Sequence, residues 1–155
     1  MGTIRIATTI RAPAERCFDL ARSVSAHLSS MRTTHERVVT SIASDLLGPG
    51  AVVTWEATHF GARLRLMSKI TQFDAPRSFE DEQIAGPFQS FWHRHEFNTK
   101  NGVTVMTDLV RYRNPFGFVG RLAERVFLDR YLRVLLERRA AHLRVLAESG
   151  GMRAT

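Results

Sequence analysis

From residue 36 to residue 114 the apolar residues fall at every second position, and this period persists through six stretches. They are ERVVTSIAS, AVVTWEATH, ARLRLMSKITQF, RSFEDEQIA, FQSFWHRHEFN and VTVMTDLVRYR. Such alternation marks a strand with one buried face. The separators are Gly48-Pro49-Gly50, Phe60-Gly61, Asp74-Ala75-Pro76, Gly86-Pro87 and Asn101-Gly102, turn signals too short for a crossover. Strands joined this way are antiparallel neighbours, so the run predicts a six-stranded meander. TIRIATTI, ahead of it, alternates β-branched residues and supplies a seventh strand. It stops at Arg11-Ala12-Pro13, where proline suits the start of a helix. AERCFDLARS then carries Ala14, Cys17, Phe18 and Ala21 at helical spacing, which makes Cys17 a small core residue. A second short helix is expected through SVSAHLSS.

Past Pro115-Phe116-Gly117 the period becomes helical. Val119, Leu122, Ala123, Val126, Phe127, Tyr131, Val134, Leu135 and Leu136 recur along one broad face, continued by Leu143 and Leu146. A helix of that length is on the order of 45 Å long and spans a whole sheet. Arg121, Arg125, Arg133, Arg139 and Arg144 interleave with Glu124, Asp129, Glu137 and Glu148, which reads as a solvated face with i,i+4 pairing. The class is α+β. With 155 residues and no linker, the chain is expected to form one domain over 1–148, with a flexible tail at 149–155.

Charge narrows the partners. The net charge is +7, and twenty of the twenty-two basic residues are arginine, but they are scattered without a basic block. A nucleic-acid partner is not expected. No apolar run reaches a membrane span, so stable membrane insertion is not expected either. The first residues, MGTIRIATTIRAP, lack the layout of a signal peptide. One cysteine permits no internal disulfide, and the default location is cytoplasmic. GxSxG and a phosphate-cradling glycine loop are both missing. The chain reads as a monomer or homodimer.

Two turns fix register. A two-residue type I′ turn at Asn101-Gly102 sets Phe97 opposite Met106, His95 opposite Asp108, His93 opposite Val110 and Phe91 opposite Tyr112, all on one side. The Phe60-Gly61 turn sets Trp55 opposite Leu66, Ala57 opposite Leu64 and Val53 opposite Ser68, with His59 on the Trp55 side. Glu56 and Arg65 form a pair on the other face, suited to an exposed surface. The Gly86-Pro87 turn leaves its register open. A three-residue loop points Phe79, Asp81 and Gln83 inward, and a two-residue loop does not. The inner face thus places His93, His95, Asp108 and Tyr112 among aromatics and aliphatics. Either these groups form a fully hydrogen-bonded network in a closed core, or they line a partly wet cavity.

Several stretches carry a family resemblance: APAERCFDLARSVSAH, VTWEATHFG, ITQFDAPRSFEDEQIAGPF, FWHRHEF and TDLVRYRNPFGFVGRLAERVFLDRYL. In order and spacing the chain resembles bacterial START-like proteins of the SRPBCC superfamily, of the polyketide cyclase/dehydrase type. The resemblance covers about residues 3 to 146. It implies the helix-grip fold, a seven-stranded curved antiparallel sheet with two short helices after strand one, wrapped around a long C-terminal helix. It also implies a cavity for a lipid-like, polyketide-like or aromatic ligand. It carries no catalytic residues over and implies no single activity.

Three functions remain open. In the first, a small hydrophobic ligand lies against Trp55, His59, Leu66, Ser68, Phe79, Asp81, Phe91, His93, His95, Met106, Val110 and Tyr112, and against Leu122 and Val126 of the helix. The 48–50 loop and the Phe116-Gly117 junction would gate it. In the second, the protein is a cyclase, dehydratase or isomerase: His95 held by Asp108 is the acid/base pair, and Tyr112 polarises a carbonyl. The third is a metal site on His93 and His95 with His59 or Asp81. Histidines at i and i+2 of a strand stand roughly 6 to 7 Å apart, so the rings must converge, and no CxxC or HExxH spacing is present. The sequence expectation is therefore no metal and no cofactor.

Overall fold

A computed structural model describes residues 1–114 and 121–150; in the last helix, side chains are described from 126 onward. In chain order the elements are β1 (Gly2–Ile10), α1 (Ala14–Ala21), α2 (Val24–Ser30), a 3-10 turn (Arg32–Thr34), β2 (Arg37–Val38) and β3 (Val52–His59). They continue with β4 (Ala62–Asp74), β5 (Ser78–Ala85), β6 (Ser90–Lys100), β7 (Val103–Arg113) and α3 (Arg121–Ser149). The strands form one antiparallel sheet in the order β1-β7-β6-β5-β4-β3-β2. The sheet curves, and α3 lies along its concave side: this is the helix-grip architecture. The expected tail is described only to Gly150, and α3 continues through Ser149; residues 151–155 lie outside the described residues. The Phe116-Gly117 gate lies outside them as well. Among the described residues, no helix is long and apolar enough to cross a membrane.

The two register-setting turns behave as their residues require. Phe60-Gly61 and Asn101-Gly102 both adopt positive φ at each position, the requirement of a type I′ hairpin. Trp55 accordingly pairs with Leu66, and His95 with Asp108. Across β5 and β6, Phe79 pairs with His95 and Asp81 with His93, which is the register of a three-residue loop. The ladder nevertheless stops at Glu82 and Trp92. The turn beyond is closed by the Gln83 amide, which donates to the Phe88 carbonyl and accepts from the Phe88 N–H.

One strand is much shorter than its sequence period. Of residues 36–44 only Arg37 and Val38 join the ladder. The chain then leaves the sheet because Asp45 has a better partner in α2. Its carboxylate accepts from the Ser23 and Ser25 hydroxyls and from the Ser25 N–H, while Val24 N–H donates to the Asp45 carbonyl. Two orphan N–H groups at the start of α2 are satisfied this way, which an extended strand could not do. The Glu56–Arg65 pair also differs from expectation. The register holds, but Glu56 is only 2% exposed, covered by Arg37, Arg65 and Arg63.

The apolar core gathers at one end of the sheet. Phe18 of α1 meets Phe73, Phe79 and Phe97 edge-on at 5.3, 5.4 and 5.6 Å. Ile70, Met106, Ala140, Leu143 and Ala147 complete this cluster. Arg16 locks α1 to the end of α3 by donating to the carbonyls of Leu146 and Ala147, a C-terminal cap supplied from another helix. Cys17 is buried in the same cluster, and burial pushes its thiol pKa up, the state of an inert core cysteine. Phe18→Ala removes the ring on which three others converge and is expected to cost about 3–5 kcal/mol. Urea denaturation checks this; a loss below about 1 kcal/mol contradicts the packing.

Candidate functional site

Further along, Leu128, Leu132 and Leu136 of α3 pack against Ile4, Val110 and Tyr112, and a cavity of about 330 Å³ lies between the helix and β3 to β6. Trp55, Leu64, Leu66 and Ile70 line it from β3 and β4. Phe79, Asp81, Phe91, His93 and His95 line it from β5 and β6, and Leu128, Tyr131, Leu132, Leu135, Leu136 and Arg139 from α3. The volume falls at the lower end of the range for small-molecule sites. At its rim Phe60 lies 4.5 Å from the Tyr131 ring and 5.3 Å from Phe127. His59 Nδ1 is hydrogen-bonded to the Tyr131 hydroxyl at 2.7 Å, and burial holds this histidine below its ordinary pKa.

The polar floor is built on Asp108 of β7. Its Oδ1 accepts a hydrogen bond from His93 Nε2 at 2.9 Å and stands 2.8 Å from His95 Nδ1. The second contact lies off the axis of its N–H, and among the described residues no acceptor is aligned with that nitrogen. The well-formed bond therefore belongs to His93, and the closeness of His95 is electrostatic. One oxygen serving two side chains draws their rings to 3.8 Å between centroids. The far nitrogens face Asp81 of β5: His95 Nε2 is 3.4 Å and His93 Nδ1 is 4.0 Å from Asp81 Oδ2. Arg139 completes the charge balance, with Nη1 3.8 Å from Asp108 Oδ1 and Nη2 donating to the Ala21 carbonyl.

Protonation follows from these distances. Burial alone would raise the Asp108 pKa, but the two histidines outweigh it and hold the carboxyl well below the usual carboxylate range. Asp81 is held down in the same way, against its own burial, by His95, His93 and Arg139. Burial is the largest influence on His93 and lowers its pKa, reinforced by the charge of His95. For His95 burial is outweighed by its two carboxylate neighbours, and its pKa rises. The two rings are thus shifted in opposite directions, His95 up and His93 down. In its neutral form His93 carries its proton on Nε2, toward Asp108, and its Nδ1 lone pair lies on the Asp81 side.

Of the fourteen candidate ligand contacts, Trp55, His59, Leu66, Ser68, Phe79, Asp81, Phe91, His93 and His95 line the cavity. Met106 and Val110 do not: each points inward as its register requires, but is covered by core neighbours. Tyr112 is also corrected. It is buried against Ile4, Val110 and Phe88, and its hydroxyl donates to Asp129 of α3, so it braces the helix and does not reach a ligand carbonyl. Asp108 sits behind the histidines, 2% exposed, and does not line the cavity. Val126 is 60% exposed, because it lies two residues, or about 200° of helical turn, from the sheet-facing Leu128. Phe127 is exposed as well, one turn before the cavity-lining Tyr131 and beside Phe60 at the rim. The side chain of Leu122 lies outside the described residues.

Several lining residues escaped the sequence reading. Arg139 was assigned to the solvated face, yet it is buried. Its position between Leu135, Leu136 and Leu143 at i,i+3/i+4 spacing was the available signal. His27 was also missed. It lies over the Trp55 ring at 4.2 Å, with Nε2 3.3 Å from Glu36, and both line the cavity.

No protein-family model matches the chain, and no curated protein matches its sequence. Solved structures do match its shape. TTHA0849 from Thermus thermophilus superposes with a TM-score of 0.73 at 16% identity, over 94% of this chain and 99% of that one. A START superfamily protein from Mycobacterium smegmatis gives 0.72 at 11% identity, over 95% and 97%. Major latex-like protein 151 from Panax ginseng gives 0.62 at 17% identity, over 91% and 96%. The chain therefore has the helix-grip fold of START-like proteins, as its sequence stretches led us to expect.

Because the folded pKa of Asp108 lies below the value near 3.9 of a free aspartate, this carboxylate contributes stability above about pH 4. The contribution is lost as pH falls toward the folded pKa. Asp108→Asn is expected to cost about 3–5 kcal/mol at neutral pH, because it removes the buried carboxylate that His93, His95 and Arg139 share. It should also flatten the loss of stability below about pH 4. Urea denaturation as a function of pH measures both. An unchanged acid limb contradicts the assignment.

Proposed function

We propose that the protein binds a small, largely hydrophobic ligand, lipid-like, polyketide-like or aromatic, in the cavity between the sheet and α3. The observation that carries this reading is the apolar space left between α3 and strands β3 to β6. Leu66, Phe91, Leu132 and Leu136 all border it, although closing that gap would remove more apolar surface from water. A ligand supplies the missing contacts. Its apolar body lies against these side chains and Trp55, and its polar end reaches Asp81, His93 and Arg139. The shared fold of START-like proteins supports a sheet-and-helix cavity as the binding place.

A second reading, a cyclase-, dehydratase- or isomerase-type enzyme, is favoured by one observation. The His93 Nδ1 lone pair borders the cavity within a charged cluster, the place for a general base. His95 with Asp108 then positions and polarises His93. Tyr112 has no part in it, since its hydroxyl is committed to Asp129.

Extraction of the purified protein followed by mass spectrometry, together with titration of 1-anilinonaphthalene-8-sulfonate, tests the binding reading. We expect a saturable 1:1 site that perturbs Trp55 fluorescence. Leu132→Trp, which fills the cavity, should weaken it about tenfold or more, the equivalent of about 1.4 kcal/mol, with the unfolding transition retained. Absence of both a co-purified ligand and probe binding contradicts the proposal.

A further inference from the structure

We propose that Asp81, His93 and His95 form a binding site for one divalent first-row transition metal ion, Zn²⁺ or Fe²⁺ in character, at the floor of the cavity. The sequence expectation ran against a metal on two grounds: strand neighbours stand too far apart, and the third ligand had no fixed position. The structure removes both. The imidazole centroids are 3.8 Å apart, because Asp108 gathers one nitrogen of each ring. The third ligand is Asp81, placed by the pairing of β5 with β6.

One donor atom from each of the three residues lies within 4.8 Å of the other two. With metal–ligand bonds of about 2.0–2.2 Å, donors at tetrahedral positions stand about 3.4 Å apart. His95 Nε2 and Asp81 Oδ2 are already at 3.4 Å, and His93 Nδ1 is 4.0 Å from the same oxygen. Closing the set draws His93 Nδ1 about 0.6 Å nearer Asp81 and the two imidazole donors nearer each other by up to about 1.4 Å, movements within reach of side-chain χ rotation.

The surroundings are those of a metal site rather than of a chance cluster. Each histidine turns its other ring nitrogen toward Asp108, the buried carboxylate that fixes ring orientation and raises donor strength in histidine metal sites. Arg139 in turn faces Asp108. Two imidazoles and one carboxylate suit zinc or iron over calcium or magnesium. Three protein ligands leave further coordination positions, and all three residues line the cavity. An oxygen of a bound molecule, a carbonyl or carboxylate, can take such a position, where the ion acts as a Lewis acid.

Metal binding is read with no organic ligand present, so its failure leaves the hydrophobic-ligand reading standing, and the reverse also holds. Tag-free protein is stripped with chelator and titrated with Co²⁺, which reports coordination through its visible absorption, and then with Zn²⁺ as competitor. We expect saturable 1:1 binding and displacement of Co²⁺ by Zn²⁺. Asp81→Asn, which leaves the His93–Asp108 bond in place, should weaken binding at least tenfold. Asp108→Asn should weaken it about 10–100-fold without removing a ligand. His35→Ala, an exposed histidine away from the cavity, should bind as the parent does. Circular dichroism of each variant confirms that it is folded, and Asp81→Asn is the deciding variant because it leaves the buried pair intact. Absence of saturable binding at millimolar metal overturns the proposal. So does equal affinity in Asp81→Asn and the parent, or loss of binding in His35→Ala.

Discussion

A single buried carboxylate organises the functional end of this molecule. Asp108 sits inside the sheet, where an isolated charge would be prohibitively costly. It is tolerated because three groups from two elements answer it: His93 and His95 from β6 and Arg139 from α3. None of these partners is left fully solvated, so the cost of burying Asp108 is spread over a network that also fixes the rings. Removing one member strands the others, and the cluster therefore behaves as a unit.

The cavity follows from the same interaction. Where the inner face is apolar, around Phe18, Phe97, Met106 and Leu143, α1 and α3 pack down and close the core. Where it carries Asp81, His93 and His95, an apolar helix face set directly against it would leave polar groups without partners. The helix instead meets this end through Arg139 and through Tyr131, bonded to His59, while Tyr112 ties Asp129 to the sheet. Polar side chains thus hold the helix at a distance, and the remaining space is lined by leucines. The polar floor and the apolar walls are two consequences of one placement of charge.

The fold was legible because hairpin turns carry local information. Phe60-Gly61 and Asn101-Gly102 each need positive φ, and that requirement sets the register of four strands without tertiary knowledge. The facing of Asp81 and His93 followed once the β5–β6 register was known. What stayed hidden depends on distant partners or on helical phase. The early exit of β2 depends on Asp45 meeting the start of α2. The commitment of Tyr112 depends on Asp129. Val126 and Arg139 were misassigned because hydrophobicity was read as a band rather than by angle: the arginine lies on the sheet side and the valine does not. Convergence of the histidine rings was not readable from strand spacing, which fixes Cα positions and leaves χ angles free.

The central claim is that Asp108 and its neighbours drive two adjacent histidines in opposite directions, His95 toward a higher pKa and His93 toward a lower one. Long-range ¹H–¹⁵N correlation spectra of the imidazole nitrogens, recorded on metal-free protein as pH is varied, test it directly. We expect His95 to lose its second proton at higher pH than His93, whose neutral ring keeps its proton on Nε2 toward Asp108. Two rings titrating together near the unperturbed value of about 6.5 would contradict the account.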